Sequence, residues 1–207
     1  MKIFVEYITL TFNYQPITRD LIVNNKLTAR EKNLLLKLAR EAIIGFVRGL
    51  KTPSMEVTDE NLLSHRGCFV SIKANGSLRG CIGNFTSEKS LFKLVQEMAV
   101  SAATRDPRFY PMKEQDLEHF DLEISVLSPL QKISAIEEIE AGTHGLYIEK
   151  NFSRGVLLPQ VAVEFGWDRE TFLRQTCIKA GLKPEDWKEG TDIYIFTADV
   201  FCEKRHS

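Results

Sequence analysis

Residues 69–83, FVSIKANGSLRGCIG, hold the most restrictive signal in the chain. Asn75-Gly76 is a dipeptide favoured by two-residue hairpin turns of type I′, because both central residues need positive φ. Alternating apolar residues lie on either side, the pattern of strands that bury one face. Such a turn pairs Ala74 with Ser77, Ile72 with Arg79 and Val70 with Cys81. On that register Cys68, Val70, Ile72, Arg79, Cys81 and Gly83 share one face. Phe69, Ser71, Leu78, Gly80 and Ile82 share the other. Cys68 then lies diagonal to Cys81, with Cα atoms about 7–8 Å apart, which argues against a disulfide between them. Glycine contributes no packing to a strand, so Gly80 and Gly83 beside a cysteine predict a close approach to this backbone. The visitor is either a ligand or another strand.

The rest of the 207-residue chain sets the context: 43% hydrophobic and 27% charged residues are the balance of a globular protein. A formal net charge of −1 gives no global field for nucleic acid or an anionic membrane. No stretch has the apolar length needed to span a bilayer. The four cysteines (Cys68, Cys81, Cys177 and Cys202) are scattered, form no CxxC pair and follow no secretory signal. Free thiols in a reducing cytoplasm are expected.

Residues 1–26 alternate weakly and read as an edge strand or an extension. Thr28-x-x-Glu31 is a capping box that opens a helix with Leu35, Leu38, Ala42 and Phe46 on its apolar face and Gly49 at its end. Residues 51–57 form a loop and 58–64 a short helix. Residues 86–105 read as an amphipathic helix with an apolar face of Leu91, Leu94, Val95, Met98 and Ala102, broken by Asp106-Pro107. A helical turn is expected at 114–117, and strands at 121–127, 144–149 and 155–159. The strand at 121–127 places Leu122, Ile124 and Val126 on one face and Glu123 and Ser125 on the other. A helix from 160 to 165 stops at Gly166, Asp168 caps the helix 169–180, and 193–203 reads as one long terminal strand. The fold class expected is α+β with a mainly antiparallel sheet flanked by helices.

Cys81 is the leading candidate for chemistry, with Arg79 two residues away as the charge that lowers its pKa. The competing reading makes it a small buried hydrophobe. Asp106, Arg108 and Phe109 sit on a rigid loop that either binds an anion or fixes itself through an Asp–Arg pair. His144 and Glu123 are candidate proton carriers; a lone histidine is more often a hydrogen-bonded structural residue, and Glu123 is an ordinary polar strand residue if its face meets solvent rather than a cleft. No HxH, HExxH or comparable cluster occurs, so no metal site is expected. Walker, GxGxxG and GxSxG motifs are missing as well, and no cofactor follows from the residues.

Leu78-Arg79-Gly80-Cys81-Ile82-Gly83 resembles the LRGCIG signature of the AMMECR family, named for the AMME syndrome candidate region. RDPRFYP at 105–111, LEISVLSP at 122–129, HGLYI at 144–148 and LLPQVAVEFGWDRETFLRQTCIKAGL at 157–182 resemble the same family. The likeness covers about residues 27–202 and leaves 1–26 outside. It implies an AMMECR-type domain over 27–207, with two unequal lobes and a groove near the hairpin, the N- and C-terminal parts together building the larger lobe. It also implies an intracellular protein without a settled activity, acting beside Memo-like and radical-SAM proteins. The density of Gly, Arg and aromatic residues without a complete catalytic set makes a binding module the expectation. Arg79, Gly80, Gly83, Asp106, Arg108 and Phe109 then line its site, with His144 on the same groove. The alternative is an enzyme using Cys81 with His144 and Glu123.

Overall fold

The computed structural model describes residues 26–50 and 56–203. The expected edge strand at 1–26 and most of the loop at 51–57 lie outside them. Two four-stranded antiparallel sheets carry the fold. The first runs β2 (Ser77–Asn84), β1 (Cys68–Ala74), β3 (Asp121–Leu127), β8 (Ala198–Cys202). The second runs β4 (Gln131–Lys132), β7 (Asp192–Phe196), β5 (Gly145–Lys150), β6 (Ser153–Leu157). Among the described residues β8 is the last strand, and it completes the first sheet at the edge beside β3.

Helices α1 (Ala29–Val47) and α3 (Leu91–Thr104) cover one face of the first sheet, and the four-residue α2 (Glu60–Leu63) packs on α3. The capping box at Thr28 is present: Glu31 N–H donates to Thr28 Oγ1, and the Glu31 carboxylate accepts from Thr28. Leu35, Leu38 and Ala42 are buried as expected, but Phe46 is 53% exposed. The last turn puts Gly45 inward instead. α3 begins at Leu91, five residues later than the periodicity suggests. Residues 86–90 are non-helical, and Ser87 Oγ accepts the Lys89 N–H in a local turn.

Helices α4 (Pro159–Phe165) and α5 (Arg169–Lys179) belong to the second sheet. Pro159 opens α4 at a position that needs no N–H, rather than closing a strand. Gly166 ends it in the left-handed region at φ +62°. Asp168 caps α5 through the Thr171 N–H at 2.8 Å, and Phe172, Leu173, Thr176 and Cys177 are buried.

The terminal strand is not one strand. β7 and β8 are separated by Thr197 and belong to different sheets, and β3 and β4 cross beside them. Ser128 N–H donates to Thr197 O, and Thr197 N–H donates to Ser128 Oγ, both at 2.9 Å. One antiparallel ribbon therefore bends from the first lobe into the second. Phe69, Phe85, Leu127 and Phe196 fill the bend, with Phe85 edge-on to both Phe69 and Phe196.

Candidate functional site

The hairpin turn forms as the dipeptide requires, with Asn75 at φ 51° and Gly76 at φ 78°. Ala74 pairs with Ser77, but a bulge between Ile72 and Lys73 then shifts the register. Ile72 faces Gly80, Ser71 faces Cys81 and Phe69 faces Gly83. Arg79 is the extra residue. One added residue moves every later side chain to the opposite face. Gly80 and Ile82 thus join Val70 and Ile72 beneath the helices, while Cys81 and Gly83 join Ser71 and Phe69 on the other side. Cys68 and Cys81 face opposite ways, and all four cysteines are free.

The close approach expected at the glycines comes from protein. A Cβ on Gly80 would overlap the carbonyl of Ala102 in α3, and one on Gly83 would overlap Cys68 O and the Phe69 ring. The visitor at Gly80 is a helix backbone rather than a ligand or a strand.

On the face away from the helices, four strands align Cys81, Ser71, Glu123 and Cys202 in one row. Ser71 Oγ donates to Cys81 Sγ at 3.2 Å. Lys73 Nζ meets Glu123 Oε2 at 2.8 Å. Cys81 is partly buried and packs on the aromatic cluster at the bend. Burial pushes its thiol pKa up; the Ser71 hydrogen bond and the Arg108 charge pull down, and the Asp106 and Glu123 charges add to the rise.

Arg79 does not act on that sulfur. Its Nη2 donates to Tyr110 O at 2.5 Å and lies 4.0 Å from Asp116 Oδ2. It lines a separate depression of about 150 Å³ with Asn75, Gln115, Asp116 and His119, above Met112 and Phe120. The guanidinium expected to tune the thiol is replaced by Arg108. The Phe109 ring is near both, its centroid 5.8 Å from the Arg79 guanidinium and 5.5 Å from that of Arg108.

Asp106 ties the loop to the motif. It is 4% exposed; Oδ2 accepts the Cys81 N–H at 2.8 Å and Arg108 Nη2 at 2.7 Å, and Oδ1 accepts Arg108 N and Nε. Burial alone raises its pKa, but the Arg108 bonds and the two backbone N–H groups outweigh that and hold it below the usual carboxylate value. Of the two readings of this loop, the geometry carries the self-fixing pair. It also covers the outer edge of β2 at Cys81.

His144 belongs to the second lobe, just before β5. Its Nδ1 accepts the Glu140 N–H at 3.1 Å and so closes the turn that leads into the strand. Glu123 shares a face with Cys81, but its carboxylate is engaged by Lys73. Ser71 and Lys73 were absent from the sequence candidates because the unshifted register turned Ser71 away from Cys81. Gly80 was the available signal, since a strand glycine often marks a bulge. His119 and Gln115 carried no signal in sequence.

Among the described residues no group of three or more His, Cys, Asp and Glu side chains is placed to hold a metal. No helix among them is long and apolar enough to cross a membrane.

Comparison with known proteins agrees with the fold. A Methanopyrus kandleri protein is 40% identical over 192 residues, covering 88% of this chain and 93% of its own length. A Thermococcus onnurineus protein is 43% identical over 182 residues, covering 82% and 89%. The crystal structure of an uncharacterised protein from Pyrococcus horikoshii superposes with a TM-score of 0.74 at 38% identity, covering 83% of this chain and 90% of that one. The AMMECR1 family model matches residues 36–201, which take in most of both lobes and Ser71, Lys73, Arg79, Cys81, Asp106, Arg108 and Glu123 of the hairpin site. The chain therefore belongs to the AMMECR1 family.

Proposed function

We propose that this protein is a ligand- or partner-binding module whose recognition surface is the part-exposed row of Cys81, Ser71, Lys73 and Glu123 on the first sheet together with the Phe109 loop. The observation that carries this reading is the setting of Cys81. Burial pushes its thiol pKa up, Glu123 is paired with Lys73, and His144 is engaged by the Glu140 N–H. A nucleophile needs a base within hydrogen-bond reach, and neither candidate base is bonded to the sulfur. Binding needs only a shaped, fixed surface, and the Asp106–Arg108 clasp supplies one. Ser71, Lys73 and Glu123 give that surface polar groups, and Tyr110, next to Phe109 in the loop, is 86% exposed.

The family resemblance points to Memo-like and radical-SAM proteins as the partners. Calorimetry and pull-down with purified partners of both kinds test this. Binding that is lost on Tyr110→Ala or Lys73→Glu supports the reading; no binding to either kind counts against it.

A second reading has Cys81 as the nucleophile of an enzyme. The Ser71 hydroxyl bond to sulfur and the nearby Arg108 charge favour it. It requires a thiol that titrates below the free value of about 8.5.

A further inference from the structure

The end of α4 carries large apolar side chains in water. Val163 is 67% exposed on one flank of α4 and Phe165 53% exposed on the other, and Phe165 stacks on the partly buried Trp167 with ring centroids 4.9 Å apart. These side chains are rigidly presented. Trp167 N–H donates to Ala162 O at 2.9 Å and Gly166 N–H to Val163 O at 3.2 Å, so a Schellman-type stop at Gly166 pins the helix end. The turn before β5 lies alongside, because a Cβ on Gly142 would come within 3.0 Å of Val163 Cγ2.

The surroundings of this helix end are acidic. Glu137, Glu140, Glu164 and Glu170 are exposed and hold no ion pair among the described residues. Arg169 donates to the backbone oxygens of Ile139 and Glu137, which ties the acidic segment to the start of α5. An apolar stack with an acidic margin matches a surface of the reverse charge pattern. Helices offer such a surface, with a groove that takes a ridge of side chains.

We propose that the Phe165–Trp167 stack at the end of α4 docks an amphipathic helix of a partner protein whose apolar stripe is flanked by Lys and Arg. This surface belongs to the second lobe, and the inference does not rest on the reading given for the hairpin face.

The test uses the full chain and three probes: an 18-residue Leu/Lys amphipathic peptide, a Leu/Glu peptide with the same apolar stripe, and phosphatidylcholine vesicles. Calorimetry measures affinity, and amide NMR locates the footprint. The Leu/Lys peptide is expected to perturb residues 137–142 and 161–168. Phe165→Ser, at an exposed position, should keep the melting temperature and weaken binding at least about tenfold. The Glu140→Gln, Glu164→Gln double variant should weaken it about threefold and flatten its salt dependence. Equal affinity for the Leu/Glu peptide, a footprint elsewhere, or no effect of Phe165→Ser overturns the proposal. So does vesicle binding through the stack, or a dimer in sedimentation that Phe165→Ser dissociates, since a lipid surface or a second copy would then be the occupant.

Discussion

Arg79 and Cys81 stand two residues apart in one strand, yet they serve two different places. Cys81 looks across the far face of the first sheet toward Ser71 and Glu123, and packs on the aromatic bend between the lobes. Arg79 reaches the other way, to Tyr110 O and the depression above Met112 and Phe120. The bulge, with Arg79 as its extra residue, accounts for the division. It lets the strand present Gly80 to α3 and the thiol to the far face. A motif that reads as one compact reactive group is, in three dimensions, a boundary between two surfaces. Phe109 and the Asp106–Arg108 clasp sit along that boundary.

The division breaks most severely if the bulge cannot form. Gly80→Ala sets a methyl group against the Ala102 carbonyl, backbone on backbone, so relief requires moving α3. A loss of about 3 kcal/mol or more is expected in denaturant unfolding. Gly76→Ala, where a Cβ meets nothing within 4 Å but φ is +78°, should cost about 1 kcal/mol.

Asp106 is the next lever. Asp106→Ala leaves the Cys81 N–H without its acceptor and removes the partner of Arg108, for a loss of about 2–4 kcal/mol. Its carboxylate has a folded pKa below the unfolded value of about 3.9. Its contribution is therefore present above that value and is lost as pH falls through the folded pKa. Wild-type stability should fall below about pH 4. Asp106→Asn should be less stable near neutral pH and show a shallower acid limb in the same titration.

The part-exposed row should tolerate change. Lys73→Ala removes an ion pair in which both side chains are about a third exposed (38% and 31%). Less than about 1 kcal/mol is expected in thermal unfolding. A much larger loss would mean that the Lys73–Glu123 pair supports the sheet rather than furnishing its surface.

Local chemistry was legible in the chain and tertiary choices were not. The Asn75-Gly76 turn, the Thr28 capping box, the Asp168 cap and the strand 121–127 each follow from residues that touch one another in sequence. The bulge depends on Gly80 meeting Ala102, more than twenty positions away, so counting back from the turn gave the wrong pairing for Cys81. The break at Thr197 was invisible for the same reason. No glycine or proline marks it, and it is held by reciprocal hydrogen bonds with Ser128 across the sequence. Phe46 fits the helical stripe, but the periodicity alone does not say which side chain the final turn buries. Of the site, Asp106, Arg108 and Phe109 were recognised as belonging to one loop. Their placement against Cys81 needed the fold, as did the assignment of Arg108 rather than Arg79 to the thiol.

The measurement that bears most directly on this account is the pH profile of Cys81 alkylation, followed on its own peptide by mass spectrometry. It is run on the wild type, Arg79→Gln and Arg108→Gln. The account predicts a wild-type midpoint above the free-thiol value of about 8.5, no change with Arg79→Gln, and a further rise with Arg108→Gln. A midpoint below that value, or a rise with Arg79→Gln as large as with Arg108→Gln, would contradict it.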